Sequence, residues 1–287
     1  MTRTPAALVA LATAALVAAC GHAPAVRDAA PAQPRDARFP AGWPGPLPQP
    51  ATPLPRVAIV IDDVGRSWDD VAPFASLPLA LSFAVLPFLD DAPATASALS
   101  ALGRDVLAHV PMAPCDPATM DGPGFLGSDM DAPALQAATR AHLDRVPGAV
   151  GANNHMGSRL TTDRAAMRAY VDVLRARGMF ALDSRTSADT VLLDAAASAG
   201  IPAARRHVFL DDDPAPDAIR ERVAETLRVA RAQGCAIAIG HPRPTTWLVL
   251  RELAGRPPAD VQFVPVSRLI SDPCARRDPP PRTNSER

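Results

Sequence analysis

The sequence predicts an α/β fold, a barrel of parallel strands wrapped by helices. Three observations carry this. Short β-branched runs recur along residues 56–271, Ala/Arg/Leu-rich stretches with helical spacing alternate with them, and polar residues stand repeatedly where the runs end. Alternating strand and helix with apolar strands implies parallel pairing through right-handed crossovers. Seven or eight such units favour a barrel over an open sheet.

The elements follow in order. Runs 57–61 and 81–86 are the first two strands, and the stretch 93–102 is the first helix. A strand at 105–109 leads to a helix at 132–145, and one at 149–152 to a helix at 162–177. Strands at 179–182, 207–210 and 235–239 precede helices at 190–199, 216–233 and 245–256, and an eighth run follows at 261–266. Each strand run is short and apolar enough to be buried on both faces, as parallel strands are.

The termini read differently. Arg3 supplies a positive start, and residues 6–17 are apolar apart from Thr13, too short a run to span a bilayer comfortably. Small residues directly before Cys20 resemble a bacterial lipobox, so residues 1–20 read as a lipoprotein signal with Cys20 as the lipidated residue; an ordinary secretory signal is the alternative. Gly21 in place of Asp favours an outer-membrane anchor facing the periplasm. Residues 21–55 are a Pro-rich linker that favours extended conformations, and 272–287 read as a disordered Pro/Arg-rich tail. The barrel is therefore assigned to 56–271.

Composition excludes some functions. With 287 residues and 48% hydrophobic content the chain can bury a sizeable core. A net charge of −1 lacks the basic excess of nucleic-acid binders, and 4% aromatics is too few for a single-strand stacking platform. All basic residues are Arg, which rules out a lysine Schiff base or a P-loop lysine. Beyond Cys20, the cysteines form no Cys-x-x-Cys pair. Cys235 begins a strand on the barrel face opposite the strand ends, and Cys274 follows the last helix as it returns there, so these two are expected to form a disulfide and leave Cys115 as a thiol near the pocket mouth.

The polar strand ends are Asp62-Asp63, His109, Asn153-Asn154-His155, Asp183-Ser184-Arg185, Asp211-Asp212-Asp213 and His241. In a parallel barrel the carboxyl ends of all strands open on one face, where sites are built. A mixed Asp/His cluster suits Zn²⁺ or a similar divalent ion with one position open to water. Two adjacent carboxylates along a strand point in different directions, so one can ligate while the other acts as base. Of the remaining polar residues, His142 reads as a solvated helix histidine and His207 as structural. Met112 and Met156 read as pocket-wall packing, and Asp211 to Asp213 as a helix N-cap before Pro214, with a second cation site as the alternative. Ser158 and Ser184 lack a nucleophile-elbow context.

The runs Ile59-Val60-Ile61-Asp62-Asp63, Phe83-Ala84-Val85-Leu86-Pro87, His109-Val110-Pro111-Met112, Asn153-Asn154-His155-Met156-Gly157-Ser158, Asp183-Ser184-Arg185-Thr186 and Ile239-Gly240-His241-Pro242, in this order over about residues 56 to 271, resemble the divergent polysaccharide deacetylase family, a distant branch of the family 4 carbohydrate esterases. The resemblance implies a distorted (β/α)₇ barrel, one divalent metal ion, most simply zinc, and removal of acetyl groups from a glycan: an acetylated polysaccharide or peptidoglycan. It implies Asp62 as the base that activates water, Asp63 and His109 as metal ligands, and His241 as the general acid. Where the better-known branch has a second metal histidine four residues after the first, this chain has Ala113. By position His155 is the replacement, with Asp183 in reserve and Asn154 as an additional polar residue of the site. The Arg-Pro-Pro-Tyr run of that branch is missing, and Arg185 is expected to orient Asp62. These departures leave three readings: a deacetylase, a catalytically weak glycan-binding or scaffold lipoprotein of the same fold, or another metal hydrolase on this barrel.

Overall fold

The computed structural model describes residues 53–280. The signal segment, Cys20 and nearly all of the linker lie outside the described residues, as do 281–287. Nine parallel strands are present among the described residues: β1 (Arg56–Val64), β2 (Leu81–Val85), β3 (Val106–Met112), β4 (Gly151–Met156), β5 (Phe180–Asp183), β6 (Ala203–Arg205), β7 (Val208–Phe209), β8 (Cys235–Gly240) and β9 (Gln262–Phe263). Their order is β6-β5-β4-β3-β2-β1-β8-β7, with β9 added to β1.

The two ends of this curled sheet are one continuous passage of chain. Ala203–Arg205 pairs with β5, and Val208–Phe209 pairs with β8. The change of partner falls between two neighbours: Arg206 N–H donates to Asp183 O at 2.9 Å, and His207 N–H donates to Ile237 O at 2.8 Å. The expected barrel thus has seven staves, with its distortion at the stave that switches partners. The expected strand at 207–210 covers only the second half of that stave.

Helices α1 (Trp68–Ala75), α2 (Ala92–Ala101), α3 (Ala132–Asp144), α4 (Arg164–Ala176), α5 (Leu192–Ala199), α6 (Pro216–Gln233) and α7 (Pro244–Gly255) cover the outside. Six match expected helices. The unexpected one, α1, is eight residues long with Pro73 inside it, and Ser67 caps it by accepting from Asp69 N–H at 3.1 Å. A short stretch containing proline carries too little periodic signal to be read as a helix.

Strand alternation sorts the core into two layers. Val57, Ile59 and Ile61 of β1 face the helices, in the larger apolar cluster. Ala58 and Val60 face inward with Leu107, Leu182, Cys235, Ile237 and Ile239. The floor of this interior is completed by Val264, Val266, Leu269, Ile270 and Ala275, from the chain after α7. The expected tail therefore begins as packed structure: Pro273–Arg276 is a 3₁₀ turn, Ala275 is buried, and Cys274 is bonded to Cys235 with a Cα–Cα distance of 5.8 Å. Closing a loop of this separation stabilises the fold by about 4 kcal/mol on a chain-entropy estimate. Cys115 is exposed and outside any disulfide.

His207 sits on this floor as a structural residue. Its Nδ1 accepts from Ile237 N–H at 2.9 Å, and its Nε2–H donates to the carbonyl of Cys274 at 3.3 Å. That pattern requires a neutral ring, and burial pushes its pKa down from the ordinary 6.5 to about 4. The unfolded chain binds a proton at this residue below about pH 6.5, while the folded chain resists until about pH 4. Stability should therefore fall by roughly 3 kcal/mol as pH drops through this window and then level off. Urea midpoints measured between pH 7 and pH 4 should have a flatter slope in His207→Gln, and an unchanged slope would exclude His207 as the cause.

Candidate metal centre and active site

Above the aliphatic floor, the inward-facing rows of the strands continue as polar residues. On β1 the row Ala58, Val60 is continued by Asp62. On β3 Leu107 is followed by His109, on β4 Asn153 by His155, and on β8 Cys235, Ile237 and Ile239 by His241. The β3–β4 register sets His109 beside Asn153 and Pro111 beside His155.

Strict alternation would send Asp63 to the opposite face from Asp62. Instead, the β1–β2 register shifts between Ile61 and Val64, and Asp63 has φ 58°. This bulge returns the second carboxylate to the same cavity. A left-handed non-glycine residue costs on the order of 1 kcal/mol and is typical of functional strand ends. Met156 (φ 53°), the last residue of β4, and Arg185 (φ 51°), two residues past β5, are the other two described non-glycine residues with positive φ.

Three donor atoms converge. Asp63 Oδ1 lies 3.1 Å from His109 Nε2 and 2.9 Å from His155 Nδ1, and the two ring nitrogens are 3.2 Å apart. Asp63 Oδ1 is buried yet accepts no well-directed hydrogen bond. Ligand atoms that share one tetrahedrally held ion at about 2 Å stand about 3.3 Å apart, so the spacing and chemistry of these three donors fit a small divalent ion. The far nitrogen of each ring is anchored. His109 Nδ1–H donates to Asn153 Oδ1 at 2.9 Å, and His155 Nε2–H donates to Asp121 Oδ1 at 3.0 Å. Such anchoring fixes the tautomer that leaves the inner nitrogen as a lone-pair donor. Burial alone would raise the pKa of Asp63, but the two imidazoles hold it well below the usual carboxylate range.

Asp62 is buried, and both its oxygens accept from Asn153 Nδ2 at 3.0 Å. The orientation of the amide follows: its nitrogen must face the carboxylate, so its oxygen must face His109. Asn153 thereby links the carboxylate of Asp62 to the imidazole of His109. Burial raises the pKa of Asp62, opposed by the charges of His109 and His241 and by the Asn153 bond.

His241 completes the ring of groups. Its Nδ1–H donates to Asp211 Oδ1 at 2.8 Å, and its backbone N–H donates to Asp211 Oδ2 at 2.8 Å, where Thr246 Oγ1 also donates at 2.6 Å. Nε2 is left facing the cavity, 3.7 Å from Asp63 Oδ2. Burial would lower the pKa of His241, but Asp211 together with Asp63 and Asp62 raises it.

Several expectations need correction. Asp183 is not among the three grouped donors. It lies out of phase with inward-facing Leu182, its oxygens accept from Arg185 N–H at 2.8 Å and Thr190 Oγ1 at 3.0 Å, and it shapes the turn after β5. Asn154, out of phase with Asn153, accepts from Ser184 N–H at 2.9 Å and donates to Met156 O at 2.7 Å, so it stitches two loops together. Arg185 pairs with Asp278 at 3.0 Å; the side chain that holds Asp62 is Asn153, and the guanidinium electrically coupled to Asp62 is that of Arg206. Asp211 is fully buried as the partner of His241, and only Asp213 supports the start of α6, accepting from Ala215 N–H at 2.9 Å. His142 is half-buried, with Nε2 2.7 Å from Gly124 O. Met112 is buried in the core. Asp121 was missed, and Asn153 and Asp211 were seen at strand ends without the roles the structure gives them. The signal for Asp211 was available, since it ends the strand beside the one that His241 ends.

A sequence profile described as divergent polysaccharide deacetylase matches residues 59–270. An uncharacterized Escherichia coli protein, YibQ, is 34% identical over 79% of this chain and 71% of its own length. An uncharacterized protein of Haemophilus influenzae is 35% identical over 75% of this chain and 76% of its own. A solved structure of an uncharacterized Agrobacterium tumefaciens protein superposes with a TM-score of 0.71 at 21% identity, covering 78% of this chain and 92% of that one.

Proposed function

This chain belongs to the divergent polysaccharide deacetylase family, and from that premise we propose that it is a metal-dependent hydrolase that removes acetyl groups from an envelope glycan, an acetylated polysaccharide or peptidoglycan. The observation that carries the reading is the placement of a buried carboxylate, an Asp/His/His donor triangle and a carboxylate-backed histidine around one cavity.

Asp63, His109 and His155 would hold a divalent ion, best matched by zinc given two imidazoles and one carboxylate, and when bound it would supply carbonyl polarisation and a lowered pKa for water. Asp62 faces the same point and takes the proton as water oxygen bonds to the acetyl carbon. Asn153 holds that carboxylate in place and limits its basicity. His241 presents Nε2–H from the other side and gives its proton to the sugar nitrogen or oxygen as the bond to the acetyl carbon breaks. The products are acetate and a free amine or hydroxyl. Acetate release from a panel of acetylated glycans, abolished by chelator and restored by Zn²⁺, is the expected result. A metal-loaded protein that binds these glycans and releases no acetate would favour the scaffold reading.

The same reading places the protein in the cell envelope as a periplasm-facing lipoprotein of the outer membrane. The Cys235–Cys274 disulfide suits an oxidising compartment, and no helix among the described residues is long and apolar enough to cross a membrane. Cys20→Ala should move the protein from the membrane to the soluble fraction. Continued membrane association would point to a different anchor.

A further inference from the structure

The loop 113–130, between β3 and α3, lies against His155. It is fastened at several points. Leu126 N–H donates to Pro111 O and Ala113 N–H to Leu126 O, each at 2.9 Å. Cys115 N–H donates to Ser158 Oγ at 2.9 Å, and His142 Nε2–H donates to Gly124 O at 2.7 Å. Gly122 sits so close to Phe88 that a Cβ there would meet the ring at 2.6 Å. Phe88 and Phe125 flank the imidazole of His155, with ring centroids 6.5 and 6.0 Å away. At the centre of this arrangement Asp121 Oδ1 meets His155 Nε2 at 3.0 Å.

We infer that Asp121 is a positioning residue: it fixes the ring of His155 so that Nδ1 faces Asp63 and His109, and so makes metal affinity depend on the seating of loop 113–130. The inference rests on the metal reading of the donor triangle. His155 presents Nδ1, the nitrogen nearer the backbone. A half-turn of the ring about χ2 would replace Nδ1 at the focus with carbon, and Nε2 would leave its partner. The Asp121 side chain is 40% exposed, so as a surface ion pair it adds little to stability. Its effect is on ring orientation and tautomer, where outer-shell partners govern affinity.

The test measures Co²⁺ and Zn²⁺ affinity in wild type, Asp121→Ala, Asp121→Asn and Gly122→Val, with the His155 tautomer read by ¹⁵N NMR in metal-free protein at alkaline pH. Asp121→Ala should bind metal about 10–100-fold more weakly and lose the pure Nε2–H tautomer. Asp121→Asn keeps an acceptor oxygen and should restore most of both. Gly122→Val leaves Asp121 chemically intact, displaces the loop from Phe88, and should weaken binding in the same direction. Wild-type affinity and an unchanged tautomer in Asp121→Ala would overturn the inference. If wild type itself takes up no metal, the metal reading fails, and the tautomer in Asp121→Ala still decides the role of Asp121.

Discussion

Asp63→Ala and His155→Ala are each expected to leave the purified protein without its divalent ion, whereas wild type should retain about one per chain, as a three-ligand site implies. The donor triangle has edges of 2.9 to 3.2 Å, and Asp63, His109 and His155 are the only described residues grouped in it. Two remaining ligands cannot fix the ion, and affinity should fall by more than the roughly 100-fold seen when an outer-shell partner is removed. Asp63→Ala also removes the carboxylate between two buried histidines, so its fold should be checked by thermal melting. Metal analysis after dialysis decides the matter. Full occupancy in His155→Ala would remove His155 from the ligand set, and full occupancy in both variants would place the ion elsewhere.

Much of this site was legible in the sequence because barrel strands impose a simple rule: the polar residue just past an apolar run lands on the open face. Asp62, His109, His155 and His241 obey it. The failures come from phase. Asp183 and Asn154 also stand at strand ends, but one step out of phase with their inward-facing neighbours Leu182 and Asn153, which turns them toward loops. Counting alternation back from Leu182 and from Asn153 would have excluded both. Asp63 breaks the same rule in the other direction. Its place at the site depends on a bulge with positive φ, which no residue pattern announces for an aspartate. Asp121 could not be read at all, because it reaches His155 from a loop whose course is fixed by contacts distant in sequence. Nor could the stave that changes partner at Arg206, since the passage 203–209, with two arginines and a histidine at its centre, carries no pattern that names its pairing partners.

His241→Ala should keep both its fold and its metal and lose roughly 10²–10⁴ in kcat, the usual worth of a positioned general acid. The ring is not part of the donor triangle, so metal content separates this role from ligation. Asp211 supplies the mechanism's pH dependence. It accepts from His241 Nδ1–H and backbone N–H, and with Asp63 and Asp62 it raises the pKa of His241 above the ordinary 6.5, against a burial that would lower it. Phe209, the aromatic neighbour of the ring, carries no charge to alter this balance. Activity needs His241 protonated and Asp62 ionised. The acid limb of the kcat/KM profile should therefore report Asp62, whose pKa burial raises, and the alkaline limb His241. Asp211→Asn removes the charge that favours the imidazolium, so the alkaline limb should move to lower pH while the acid limb stays nearly in place. Thr246 Oγ1 can still donate to the amide oxygen, which keeps the cavity wall intact. An alkaline limb that does not move in Asp211→Asn would mean that His241 is not the group titrating there. A His241→Ala protein with full deacetylase activity on a verified substrate would remove it from the reaction.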